Sequence, residues 1–141
     1  MAKILIVYWS GTGNTEKMAE LIAQGASQAG AQVDLKNVAL ASPEMLDDYE
    51  IAALGSPAMG VEVIEEEEME PFVESIKDRV TGKKLALFGS YDWGDGEWLE
   101  NWKERMTDYG AVVVDTLAVN LTPEGESAQR CVDLGRKLAL L

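Results

Sequence analysis

Six consecutive residues, Ser10-Gly11-Thr12-Gly13-Asn14-Thr15, form a donor-rich turn near the start of the chain. Two glycines let the backbone curl so that several N–H groups point at one spot, while hydroxyl and amide side chains add further donors. A helix starting directly afterwards would contribute the partial positive charge of its N-terminus. A phosphate suits such a nest. No Lys or Arg stands in the turn, and that decides between motifs. A Walker loop needs Gly-Lys-Ser/Thr after its glycines, and a dinucleotide fingerprint needs a third glycine where Glu16 stands. An all-neutral nest fits a tightly held cofactor phosphate better than a nucleotide that turns over. The plain alternative is an ordinary capped turn.

Two later segments add to it. Gly55-Ser56-Pro57-Ala58-Met59-Gly60-Val61-Glu62 presents a soft, polarisable thioether beside a glycine, with a carboxylate able to accept a hydrogen bond from a ring N–H. Its outer glycines match a Walker spacing, but Val61 replaces the lysine. Ser90-Tyr91-Asp92-Trp93-Gly94-Asp95-Gly96 offers an indole on a flexible loop, suited to stacking on a flat ring. Trp98 and Trp102, spaced i,i+4, read instead as core residues of a helix, and Trp9 is open to either reading.

The missing residue types narrow the chemistry further. There is no histidine and one cysteine, Cys131, so Ser-His-Asp and Cys-His catalysis, the usual metal sets and an internal disulfide all fall away. Cys131 lies at core spacing in the last helical stretch and reads as a small buried side chain. Whatever reaction occurs is expected to be carried by something bound. The net charge of −13, from 25 acidic and 12 basic residues, repels nucleic acid and anionic membranes and favours a basic protein partner. No apolar run nears the ~20 residues of a membrane span. The chain enters an apolar run directly from Met1-Ala2-Lys3, without the marks of a signal peptide, so a cytoplasmic protein is expected.

The elements that must position these segments alternate in type. Apolar runs at 3–9, 50–55, 84–90 and 111–120 read as strands, and 32–38 as a more exposed one. Helical stripes cover 15–29, 67–79 and 97–109, and a short helix is expected after Ser42-Pro43, ending near Asp48. Thr122-Pro123 repeats the cap-plus-proline signal and predicts the start of a final helix with Ala128, Cys131, Val132, Gly135 and Leu138 on one side. Hydrophobic residues form 47% of the 141, enough for one core-bearing domain over 1–141. The expected fold class is α/β, an open five-stranded parallel sheet with helices on both faces. Ligands in such sheets sit beyond the carboxyl ends of the strands, where the three segments fall.

Tyr8 to Glu16, with 55–62 and 90–96 at these distances, resembles the flavodoxin family, most closely its short-chain clostridial type. The resemblance covers the whole chain, and 111–120 has no room for the insertion of the long-chain group. It implies FMN as cofactor, strand order 2-1-3-4-5, and low-potential electron transfer cycling mainly between semiquinone and hydroquinone. Carried onto this chain, it implies that Ser10, Gly11, Thr12, Gly13, Asn14 and Thr15 bind the phosphate, assisted by Ser90 and flanked by Trp9. Met59 and Trp93, with Ser56, Pro57, Ala58, Tyr91, Asp92, Gly94 and Asp95 around them, would enclose the ring. The Met59–Gly60 peptide would turn its carbonyl toward flavin N5, Glu62 would receive the N3 proton, and Asn120 would touch the ribityl chain. Val61 and Asp92 depart from common family residues and bear on redox tuning.

The acidic residues Asp92, Asp95, Glu97, Glu62 and 65–68 would disfavour a reduced, anionic ring, at about 0.4 kcal/mol per charge ~10 Å away through water. The run 65–68 also suits the first turn of a helix, and its rim would serve docking. The expected partners are redox proteins with basic docking surfaces, and the expected state is a monomer. An FMN-dependent quinone or nitro reductase of the same fold is the main alternative. A signalling receiver would need acids where Trp9-Ser10-Gly11 and Gly55-Ser56 stand.

Overall fold

A computed structural model describes residues 2–60 and 62–141; Val61, and the redox expectation attached to it, lies outside them. Strand β1 (Lys3–Tyr8) leads into α1 (Asn14–Gln28), β2 (Gln32–Asn37), β3 (Ile51–Gly55), α2 (Met69–Ser75), β4 (Lys84–Tyr91), α3 (Glu97–Asp108), β5 (Val112–Asn120) and α4 (Glu126–Ala139). All pairings are parallel, in the order β2-β1-β3-β4-β5. The expected α/β architecture and strand order are therefore those observed.

Side chains alternate across a strand, so each central strand feeds two cores. Leu5, Val7, Leu54, Leu85 and Leu87 face α2 and α3, meeting Phe72, Val73, Ile76, Trp98 and Trp102. Ile4, Ile6, Ala53, Ala86 and Phe88 face α1 and α4, meeting Met18, Ile22, Cys131 and Leu138. Burial on both faces explains the unbroken apolar runs of β1, β3 and β4. Trp98, Trp102 and Cys131 are core residues, as their spacing predicts. Burial pushes the Cys131 thiol up to about 11. Helices α1 and α4 cross on two glycines: a Cβ on Gly25 would come 1.9 Å from the Val132 carbonyl oxygen, and one on Gly135 1.9 Å from that of Ile22.

The short helix expected after Ser42-Pro43 lies at Pro43–Asp48, as a 3-10 helix. Two other helix boundaries differ from the sequence expectation. Helix α2 covers Met69–Ser75 instead of 67–79. The main-chain N–H groups of Lys77 and Arg79 there bond three residues back, in 3-10 fashion. The final helix starts at Glu126 after Gly125, not at Thr122-Pro123. The Thr122 hydroxyl is turned away from that helix and donates to Asn14 Oδ1 at 3.0 Å.

Candidate functional site

Strand β1 has β2 on one side and β3 on the other, so the chain reverses direction across the sheet between them. A crevice opens at the carboxyl ends there. The ladder continues past the strands and carries the loops with it: Trp9 N–H donates to the Gly55 carbonyl at 3.0 Å, Ser56 N–H to Phe88 at 3.0 Å and Ala58 N–H to Ser90 at 3.1 Å. All three singled-out segments are thereby gathered around one cleft of about 370 Å³. Its walls include Trp9, Ser10, Gly11, Thr12, Asn14 and Thr15 from the first, Pro57, Ala58 and Met59 from the second, and Ser90, Tyr91 and Asp92 from the third. A larger hollow of about 630 Å³ lies at the opposite, amino end of the sheet, between the chain termini and β3, away from every singled-out segment.

The turn at 10–13 is held from within. Gly13 N–H donates to Ser10 Oγ at 3.1 Å, and Gly13 adopts φ 98°, a left-handed conformation open to glycine, as the N-cap of α1. Thr15, in the first turn of α1, is buried. Its hydroxyl lies 3.0 Å from Ser90 Oγ and accepts from Ser90 N–H at 3.3 Å. The nest is thus braced against β4. Trp9 settles between its two readings. The indole lies against Gly11, where an added Cβ would come 2.9 Å from the ring, and Trp9 Nε1 donates to Glu68 Oε1 at 3.2 Å.

The second loop closes on itself. Met59 and Val63 exchange main-chain hydrogen bonds of 2.8 and 3.1 Å, with Gly60 at φ 45° and Glu62 at φ 58° in the reversal between them. Ser56 is fully buried: its hydroxyl accepts from Glu65 N–H at 2.9 Å and donates to the Pro57 carbonyl at 3.0 Å. The structure therefore gives Ser56 an internal bracing part rather than a place on the cleft wall. The acid run also needs correcting. Glu65 is only 4% exposed and its carboxylate accepts from the N–H groups of Glu67, Glu68 and Met69 at 2.7–2.8 Å. It caps α2, because backbone donors at a helix start need acceptors. Glu66, Glu67 and Glu68 are exposed and precede the helix, which leaves Glu70 as the acid of its first turn.

Other expected site residues stand at the rim. Trp93 is 66% exposed, and Asp92, Gly94 and Asp95 are exposed around it. Glu62 Oε2 accepts from Glu97 N–H at 2.9 Å. Its other oxygen, Oε1, is buried without a partner among the described residues, packed where a Cβ on Gly94 would come within 2.5 Å. The carboxylates of Glu62, Asp95 and Glu97 have oxygens within 4.8 Å of one another, so negative charge is concentrated beside the cleft. Asn120 Nδ2 donates to the Tyr91 and Asp92 carbonyls at 3.2 and 3.4 Å. Leu121, which no sequence pattern marks, also lines the cleft.

Neutral donors at one end, apolar side chains at the other, and an orphaned buried acceptor at the rim fit a flat heterocycle bearing a phosphate. Fold and site together define a doubly wound α/β protein that holds such a ligand at its switch point. The family profile described as flavodoxin matches residues 6–135. The chain is 52% identical to the flavodoxin of Clostridium beijerinckii over 134 residues, covering 95% of this chain and 97% of that one. It is 43% identical to the flavodoxin of Megasphaera elsdenii, with 95% and 96% covered. The solution structure of the two-electron reduced Megasphaera elsdenii flavodoxin superposes with a TM-score of 0.92 at 42% identity, covering 98% of this chain and 99% of that one. This chain belongs to the flavodoxin family.

Proposed function

We propose that residues 1–141 act as one FMN-binding unit whose work is electron transfer, and that the three gathered segments hold the cofactor. Bound FMN supplies a ring that accepts and releases electrons; the chain binds, orients and shields it. The N–H groups and hydroxyls of 10–15 hold the phosphate, with Ser90 fixing the Thr15 hydroxyl. Met59 and Trp93 cover the two faces of the ring and exclude water. Glu62, whose Oε1 has no partner among the described residues, would accept a hydrogen bond from the ring N3–H. The Met59 carbonyl accepts from Val63 N–H at 3.1 Å, so turning the Met59–Gly60 peptide toward the ring would break that bond, while Gly60, with no Cβ, keeps the backbone part of the cost low. Asn120 steadies the 91–92 loop and faces the ribityl chain.

Electron transfer requires only an exposed ring edge and a partner able to approach it. The acidic rim supplies the approach: Glu62, Asp95 and Glu97, with the exposed 66–68 run, attract a basic docking surface on a redox partner. The protein works as a cytoplasmic monomer in this reading. No helix among the described residues is long and apolar enough to cross a membrane. The quinone or nitro reductase alternative is not favoured, since the relatives matched along their full lengths are flavodoxins.

The observation that carries the reading is the neutral, braced nest in a chain of this family. Titrating apoprotein with FMN and with riboflavin, followed by flavin fluorescence, tests it. Riboflavin lacks the phosphate and is expected to bind about tenfold more weakly or worse, one or more charge-assisted hydrogen bonds being lost. Failure to bind FMN would overturn the reading.

A further inference from the structure

Among the described residues, two that are not glycine adopt positive φ, Glu62 at 58° and Leu121 at 59°, and they lie beside the same cleft. Leu121 is the less expected. Its Cβ disfavours the left-handed conformation, which Gly or Asn would adopt with little strain. The turn that it makes is simple: Leu121 N–H donates to the Tyr91 carbonyl at 2.8 Å and ends β5. Core burial does not offset the strain, because Leu121 is 48% exposed and packs in neither core. The position is nonetheless held firmly. Asn120 ties it to Tyr91 and Asp92, and Thr122 ties it to Asn14 across the cleft. A strained, exposed, anchored leucine on a cleft wall calls for a contact that the chain alone does not provide.

We infer that Leu121 is a further affinity-determining residue of the cleft, an apolar wall against the part of the bound flavin nucleotide that is not phosphate. Its side chain has no donor to offer a phosphate, and the nest at 10–15 already holds those donors. The inference rests on the reading of the cleft as an FMN site.

The test uses Leu121→Gly and Leu121→Met in the full chain, with thermal melts of the apoprotein and titrations with FMN and riboflavin. Leu121→Gly releases the strain, so the apoprotein melt rises by about 2–4 °C. It also weakens FMN and riboflavin equally, by about five- to tenfold, since the lost contact is common to both. Leu121→Met keeps an apolar side chain and retains wild-type affinity for both. Unchanged affinity in Leu121→Gly, or a loss for FMN alone, overturns the inference while wild-type FMN binding stands. Wild-type protein that binds neither flavin overturns the FMN reading and this inference together.

Discussion

The hydroxyls of Thr15, in the first turn of α1, and Ser90, near the end of β4, meet at 3.0 Å although 75 positions separate them in sequence. Both residues are buried, and Ser90 N–H also donates to the Thr15 hydroxyl at 3.3 Å. This pair locks the donor-rich turn to the sheet at the switch point. It also gives the nest its rigidity without a basic side chain.

Thr15→Val preserves shape and removes the shared hydroxyl, leaving Ser90 with an unpaired N–H in a buried setting. A loss of about 1–3 kcal/mol in unfolding free energy is expected, read by urea denaturation of the apoprotein. FMN binding should weaken more than riboflavin binding, because the disturbed element is the phosphate nest. Equal loss for both flavins would contradict the role given to Thr15.

Glu65 reads in the sequence as one more surface acid, yet its carboxylate receives three backbone N–H groups at the start of α2. Glu65→Ala should therefore cost about 2–3 kcal/mol, whereas Glu67→Ala, at an exposed neighbouring position, should change stability by no more than about 0.5 kcal/mol. Comparable effects for the two substitutions would show that the cap is not a real constraint. Salt should slow association with a basic partner through the exposed acids and leave the Glu65 contribution largely intact.

Gly25 and Gly135 allow α1 and α4 to touch backbone to backbone. Gly25→Ala or Gly135→Ala forces the helices apart and is expected to destabilise by about 1–3 kcal/mol or more by denaturant unfolding, although alanine is the better helix former. A stabilising outcome would mean that the crossing is looser than the geometry shows.

Alkali should destabilise the protein progressively from about pH 9. Burial first, then the hydrogen bond to Asp34, pushes the Tyr49 phenol from 10.0 up to about 12, and burial pushes the Cys131 thiol from 9.0 up to about 11. Tyr8 moves the same way through burial and its hydrogen bond to Glu16. The folded state holds these protons at pH values where the unfolded chain has released them. Their stabilising contribution is thus complete below pH 9 and declines as pH rises through the folded values. Denaturant midpoints measured from pH 7 to 11 check this, and Cys131→Ala should flatten the part between 9 and 11. A flat profile for the wild-type protein across that range would contradict the assigned burial.

The fold was legible because apolar runs on both-face-buried strands and helical stripes have different periods, and the phosphate nest because its glycines and hydroxyls are contiguous. Less visible were features set by tertiary geometry. The helix expected from Thr122-Pro123 begins four residues later, after Gly125 at φ 56°, and the Thr122 hydroxyl bonds Asn14 instead of capping it. Ser56 reads in sequence as part of the ring enclosure and Glu65 as a surface acid, but both are buried: the Ser56 hydroxyl accepts from Glu65 N–H, and the Glu65 carboxylate accepts from the N–H groups of Glu67, Glu68 and Met69. Leu121 carries no local signal, since its distinction is a backbone angle rather than a residue type.

Stepwise anaerobic reduction of the FMN-loaded protein, followed by its absorption spectrum, tests electron carriage most directly. Two well-separated one-electron steps are expected, with a blue one-electron form rising and then bleaching, because the crowded carboxylates of Glu62, Asp95 and Glu97 oppose the second electron. Bleaching in a single two-electron step, with rapid oxidation of NAD(P)H by the isolated protein, would contradict a one-electron carrier.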